Sequence, residues 1–231
     1  MLDISVIAVS SVIVFLTFIT FIINYSIYRR TIGGSYGFMC WAISSGCYFV
    51  GRSITLLGIL ITQSVSFLLT RGIGEGFFES LGGFFVLIGI AFLGIDLKIF
   101  KCKKQTLKKI QIPFIIFTLI LFSSVIISGY MNIIVKDSAI RMATSLSAIF
   151  EIILWGIAGI IFYPLYQILK KGTKAWTLLY LGIISVVLTN IAEIFLYIGY
   201  QFFGTVKIII SAFYAIFLLS GFFLLNKSLK G

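Results

Sequence analysis

Seven apolar stretches dominate this 231-residue chain, each about as long as a helix must be to cross a bilayer. They run from Ser5 to Tyr28, Tyr36 to Gly58, Phe77 to Phe100, Ile110 to Tyr130, Met142 to Leu165, Ala175 to Tyr197 and Phe203 to Leu225. Hydrocarbon offers no water to the backbone, so stretches of this kind must satisfy their own N–H and C=O groups as helices. Composition agrees: 60% of residues are hydrophobic and 11% charged, where a soluble domain carries about 25% charged residues. The expected fold is an all-α integral membrane protein with seven transmembrane helices.

The links between the stretches set the orientation. Arg29 and Arg30 follow the first stretch. Lys98, Lys101, Lys103, Lys104, Lys108 and Lys109 follow the third. Lys170, Lys171 and Lys174 follow the fifth, and Lys227 and Lys230 close the chain. With seven spans these links fall on one side, and basic residues favour the cytoplasmic side. The N-terminus is therefore expected outside and the C-terminus in the cytoplasm, in the plasma membrane. The formal charge of +11 is then a matter of anionic lipid rather than nucleic acid. Lys101, Lys103, Lys104, Lys108 and Lys109 are the expected head-group contacts.

Gly58 to Thr70 stays mostly apolar past the expected end of the second helix. It reads as a helix extension or an interfacial segment, since an eighth span would carry the lysine-rich link outside. A repeat is also legible. IINYSIY (Ile22–Tyr28) and IIFYPLY (Ile160–Tyr166) share Tyr25/Tyr163 and Tyr28/Tyr166 at an offset of 138 residues. That suggests parallel halves, 5–100 and 142–225, joined by a linker helix over 110–130. Such three-one-three layouts are similar in topology to the sugar-transporting SWEET proteins, but the Pro-Gln pair of that family is absent here.

Ionisable groups inside a span are costly unless paired or wet, so they mark the interior of a bundle. Arg52, Glu79, Glu151, Glu193 and Lys207 fall within spans, and the alternating helix directions put all five in the outer half. Asn190 lies three residues before Glu193, on nearly the same face. Tyr48, Ser44, Ser45, Ser185 and Thr189 can add polar contacts. These residues are the candidate ligand site, ion site or internal network.

Other chemistry is excluded. There is no histidine, which removes His-ligated haem and zinc, and Ser–His–Asp catalysis. The three cysteines make no disulfide framework. Lys207 is too near the end of its helix for a retinal-type lysine. No metal or cofactor is expected, and nothing marks an enzyme. The leading expectation is a carrier for an ion or small polar solute with an outward-facing site. The alternatives are a sensor acting with a cytoplasmic partner and a structural membrane subunit.

Overall fold

The computed structural model describes residues 4–31, 35–61, 77–101, 105–106, 109, 111–113, 115–116, 138–171, 173–200 and 202–229. Six long helices lie within them: α1 (Ile4–Arg30), α2 (Tyr36–Ile61), α3 (Ser80–Asp96), α4 (Ser138–Leu169), α5 (Ala175–Ile198) and α6 (Phe202–Ser228). A short π-helical turn at 77–79 leads into α3. All but α2 contain stretches long and apolar enough to cross a membrane, with mean hydropathies of 2.0 to 2.5. The protein is therefore a multi-pass integral membrane protein. At 26 residues α2 is long enough as well, and it carries Arg52 within its length.

The helix ends follow from local chemistry. α2 continues past Gly58 to Ile61, so the apolar run begins as a helix extension; residues 62–70 lie outside the described residues. α3 stops at Asp96, short of the expected Phe100. Lys98 turns left-handed (φ 57°), and the amides of Lys98 and Ile99 donate back to the carbonyls of Ile95 and Gly94 at 3.0 and 2.8 Å. That pairing is a Schellman stop, which satisfies the last carbonyls of a helix. Phe100 then folds back over Gly94, where any side chain would strike its ring. α4 passes through Pro164 without ending, and α5 ends at Gly199 with φ 117°. Of the expected fourth helix, 110–130, residues 111–113 and 115–116 are helical. The rest lies outside the described residues.

The six helices close into a ring in chain order, with α6 packed against α1. Contact pairs give the directions. Asn24 meets Ser45 and Phe18 meets Phe49, so α1 and α2 are antiparallel. Tyr48 lies on Gly82 and Trp41 on Gly89, so α2 and α3 are antiparallel. Phe162 meets Tyr180, and Leu179 meets Gly221, which makes α4, α5 and α6 alternate too. The last turns of α1 and α6 meet through Arg30 and Asn226 at 3.1 Å, so those two helices run parallel. It follows that α3 and α4 are also parallel. The ring is two triplets, α1–α3 and α4–α6, each running up, down and up.

Glycine permits the closest approach within a triplet. A Cβ on Gly37 would sit 2.9 Å from the carbonyl oxygen of Gly89, and one on Gly89 would fall into the Trp41 ring. Small residues at such seams let helix backbones approach in lipid, where no hydrophobic force drives helices together.

Apolar residues face outward and polar ones inward. On α4, Ile149, Ile153, Ile157 and Ile160 form an exposed stripe at spacings of three and four, while Glu151, Trp155, Ala158 and Phe162 are buried. On α5, Leu181, Ile184, Leu188, Ile191 and Phe195 are exposed, and Leu179, Ile183, Val186, Asn190 and Glu193 are buried. This arrangement suits a lipid surround.

Candidate functional site

The alternating directions bring Arg52, Glu79, Glu151, Asn190, Glu193 and Lys207 to one end of the ring. They come from α2, the turn before α3, α4, α5 and α6. None of them points at the exposed perimeter: Glu79, Glu151, Asn190, Glu193 and Lys207 are all buried.

Two ion pairs form the outer layer. Arg52 Nη2 donates to Glu79 Oε2 at 2.9 Å. Lys207 Nζ lies 2.8 Å from Glu193 Oε1. The Lys207 stem is long enough to carry its ammonium outward, but the group is held inside by this acid. Glu151 lies one turn deeper, where Asn190 Nδ2 donates to its Oε2 at 3.2 Å and to the Val186 carbonyl at 3.1 Å. Among the described residues, three carboxylates here meet two cations.

An aromatic layer follows. Trp155, one turn beyond Glu151, donates its indole N–H to the Tyr48 hydroxyl at 2.7 Å. This bond links α4 to α2 across the ring. Tyr214 of α6 is buried beside it. Its hydroxyl is near the Arg52 guanidinium but has no hydrogen-bond partner with proper geometry.

Beneath that layer lies a cavity of about 40 Å³, lined by residues of all six helices. Tyr48, Tyr214 and Trp155 border it, and Thr17, Thr20, Ser44 and Ser45 supply its polar atoms. Most of its wall is apolar. Thr17, Thr20 and Ser45 donate their hydroxyl protons to carbonyls of their own helices, at 2.8, 2.8 and 2.9 Å. Their remaining lone pairs make the polar part of the wall rich in acceptors. Ser45 accepts from Asn24 Nδ2 at 2.6 Å, while the buried Asn24 Oδ1 has no hydrogen-bond partner.

The opposite end of the ring is closed by rings. Trp41 packs against Phe38, Phe162, Trp176 and Phe222 with centroid separations of 5.2 to 6.3 Å. Trp41 precedes Arg52 by eleven residues on α2, or roughly 16 Å along the axis.

Other expected contributors sit elsewhere. Ser185 and Thr189 are buried, but their hydroxyls bond back to Leu181 and Ser185 of their own helix. Among the basic link residues, Lys101 and Lys109 are exposed; Lys103, Lys104 and Lys108 lie outside the described residues, as do Arg71 and Glu75. Cys40 and Cys47 are free thiols. Sequence reasoning missed Trp155, Tyr214, Thr17, Thr20 and Asn24. Asn24 had a usable signal, since it is a lone amide in an apolar span. Tyr214 had none, because tyrosines are also expected at membrane interfaces. The chain matches no family model, and no curated protein or solved structure is significantly similar to it.

Proposed function

We propose that this protein is a carrier that moves an ion or small polar solute through the centre of the ring, using Arg52, Glu79, Glu151, Asn190, Glu193 and Lys207. One observation carries the reading: three carboxylates and two cations from five helices converge over a cavity that all six helices line. Helix register alone would be served by neutral contacts, at much lower desolvation cost. Five ionisable groups around one axis mark a path instead.

The two triplets give the carrier its moving parts. The interfaces between them, α3–α4 and α1–α6, are the least extensive in the ring. Tyr25 and Tyr28 on α1, and Tyr163 and Tyr166 on α4, have the same 6.4 Å centroid separation. Tyr25 and Tyr163 are 48% and 49% exposed. These likenesses support a parallel repeat at the 138-residue offset. Carriers built from repeats rock one half against the other around a central site. On this reading the charged end faces outward in the cell membrane, and the exposed lysines after α3 rest on anionic head groups.

Purified protein in liposomes provides the test. Uptake of candidate solutes and cations is expected to fall at least tenfold in Glu151→Gln and in Arg52→Ala. Transport that both substitutions leave unchanged would overturn the proposal.

A further inference from the structure

We propose that the species carried is the proton, passed between Glu151 and water in the central cavity by way of Tyr48 and Tyr214. This rests on the carrier reading and names its substrate. Three observations lead to it, the first being room. A cavity of about 40 Å³ holds a few waters, at roughly 10–15 Å³ of such volume each. That volume suits a short file of waters. A proton needs only a chain of oxygens.

The second observation is that the oxygens are in place. The Tyr48 hydroxyl accepts the Trp155 N–H at 2.7 Å, which leaves its own O–H free to donate elsewhere. Tyr48 and Tyr214 both border the cavity with Trp155, which follows Glu151 by one turn on α4. Tyr214 is 3% exposed, borders the cavity, and has its hydroxyl beside the Arg52 guanidinium, a donor, so that its own O–H proton has no acceptor among the described residues. A buried hydroxyl in that condition costs free energy unless something in the cavity meets it. Thr17 and Thr20 offer acceptor lone pairs on the α1 wall of the same cavity. Polar atoms thus line the cavity from the tyrosine layer to α1, and Glu151 stands one turn before Trp155 on α4.

The third observation is charge. Arg52 is matched by Glu79 and Lys207 by Glu193. Glu151 has an amide as its hydrogen-bonding partner. Among the described residues it is the carboxyl left over after both cations are matched, and a proton can bind there without breaking either pair. In the transfer, the O–H bond of protonated Glu151 breaks as an O–H bond forms on the neighbouring hydroxyl or water oxygen. That oxygen releases its own proton to the next. No heavy atom moves and no electron is transferred between groups.

The experiment uses the full chain in liposomes that hold a pH-sensitive dye, with the membrane potential set by potassium and valinomycin. A negative interior is expected to drive internal acidification. Glu151→Gln should abolish it, and Tyr214→Phe should slow it at least fivefold. Circular dichroism and size-exclusion profiles matching the unsubstituted protein exclude misfolding as the cause. Sodium or solute flux that depends on Glu151 without any proton movement would overturn the proton and leave the carrier intact. Proton flux unchanged in Tyr214→Phe would overturn the route. No flux of any species would overturn both this inference and the carrier reading.

Discussion

The two triplets of the ring close in the same way with opposite charge order. In α1–α3, the middle helix supplies the cation, Arg52, and the turn before the last helix supplies the acid, Glu79. In α4–α6, the middle helix supplies the acid, Glu193, and the last helix supplies the cation, Lys207. Both pairs lie at the same end of the ring. Their first helices differ far more. α1 offers hydroxyls and an amide: Thr17, Thr20 and Asn24. α4 offers Glu151 and Trp155. One triplet therefore supplies much of the cavity wall, and the other supplies the extra acid above it. The difference teaches that a matched pair can hold helices together in either triplet, while the acid without a cation partner among the described residues belongs to one of them alone.

Breaking a pair should have the largest effect. Arg52→Ala takes the guanidinium away from Glu79, whose side chain is 5% exposed. Removing one partner of a buried pair costs up to about 3–5 kcal/mol. The variant should melt well below the unsubstituted protein in detergent. Adding Glu79→Gln should recover part of the loss, because the carboxylate that lost its guanidinium is then neutral. Lys207→Ala should cost less, since Glu193 is 10% exposed and closer to solvent screening. If the two single variants melt together, or the double variant recovers nothing, the pairs do not act as charge pairs.

That prediction was within reach of the sequence because charge reports depth. An ion in an apolar span must face inward, and alternating helix directions fix its level. Arg52 and Glu79 could both be placed in the outer half before any coordinates. What polar residues do not mark stayed hidden. Trp41, Phe162, Trp176 and Phe222 seal the far end of the ring, yet the chain has 24 phenylalanines and no rule separates a lipid-facing one from a core one. Lipid and core are equally apolar, so the inward face of a span shows only where a polar group sits on it. α1 carries few, and its closure against α6 was illegible for that reason.

The next effect concerns the seams inside the triplets. Gly89→Leu drives a side chain into Trp41 and against the Gly37 backbone. Overpacking of this kind costs typically about 1–3 kcal/mol. Gly221→Leu makes the equivalent intrusion between α6 and α5, against Leu179 and the Ala175 carbonyl. Melting points in detergent should fall for both and by similar amounts. A large fall for one and none for the other would show that the triplets are not built alike.

The smallest effect tests the joint between the triplets. Trp155→Phe keeps the ring and removes the N–H that reaches Tyr48 from α4 to α2. Interhelical hydrogen bonds in membranes contribute about 0.6 kcal/mol on average and about 1.7 at most. The melting point should therefore move little. A joint that spans two moving bodies has a different signature: weakening it favours their separation more than it favours unfolding. Cysteine accessibility reports that separation. Ser45→Cys places a thiol on the cavity wall in α2, and a water-soluble maleimide should label it several times faster when Trp155→Phe is also present. Cys40, Cys47 and Cys102 must first be replaced, for example by alanine, so that the signal has one source. Faster labelling with an unchanged melting point means two bodies that rock. Unchanged labelling with a lower melting point makes Trp155 an ordinary packing residue, and the ring then behaves as one body.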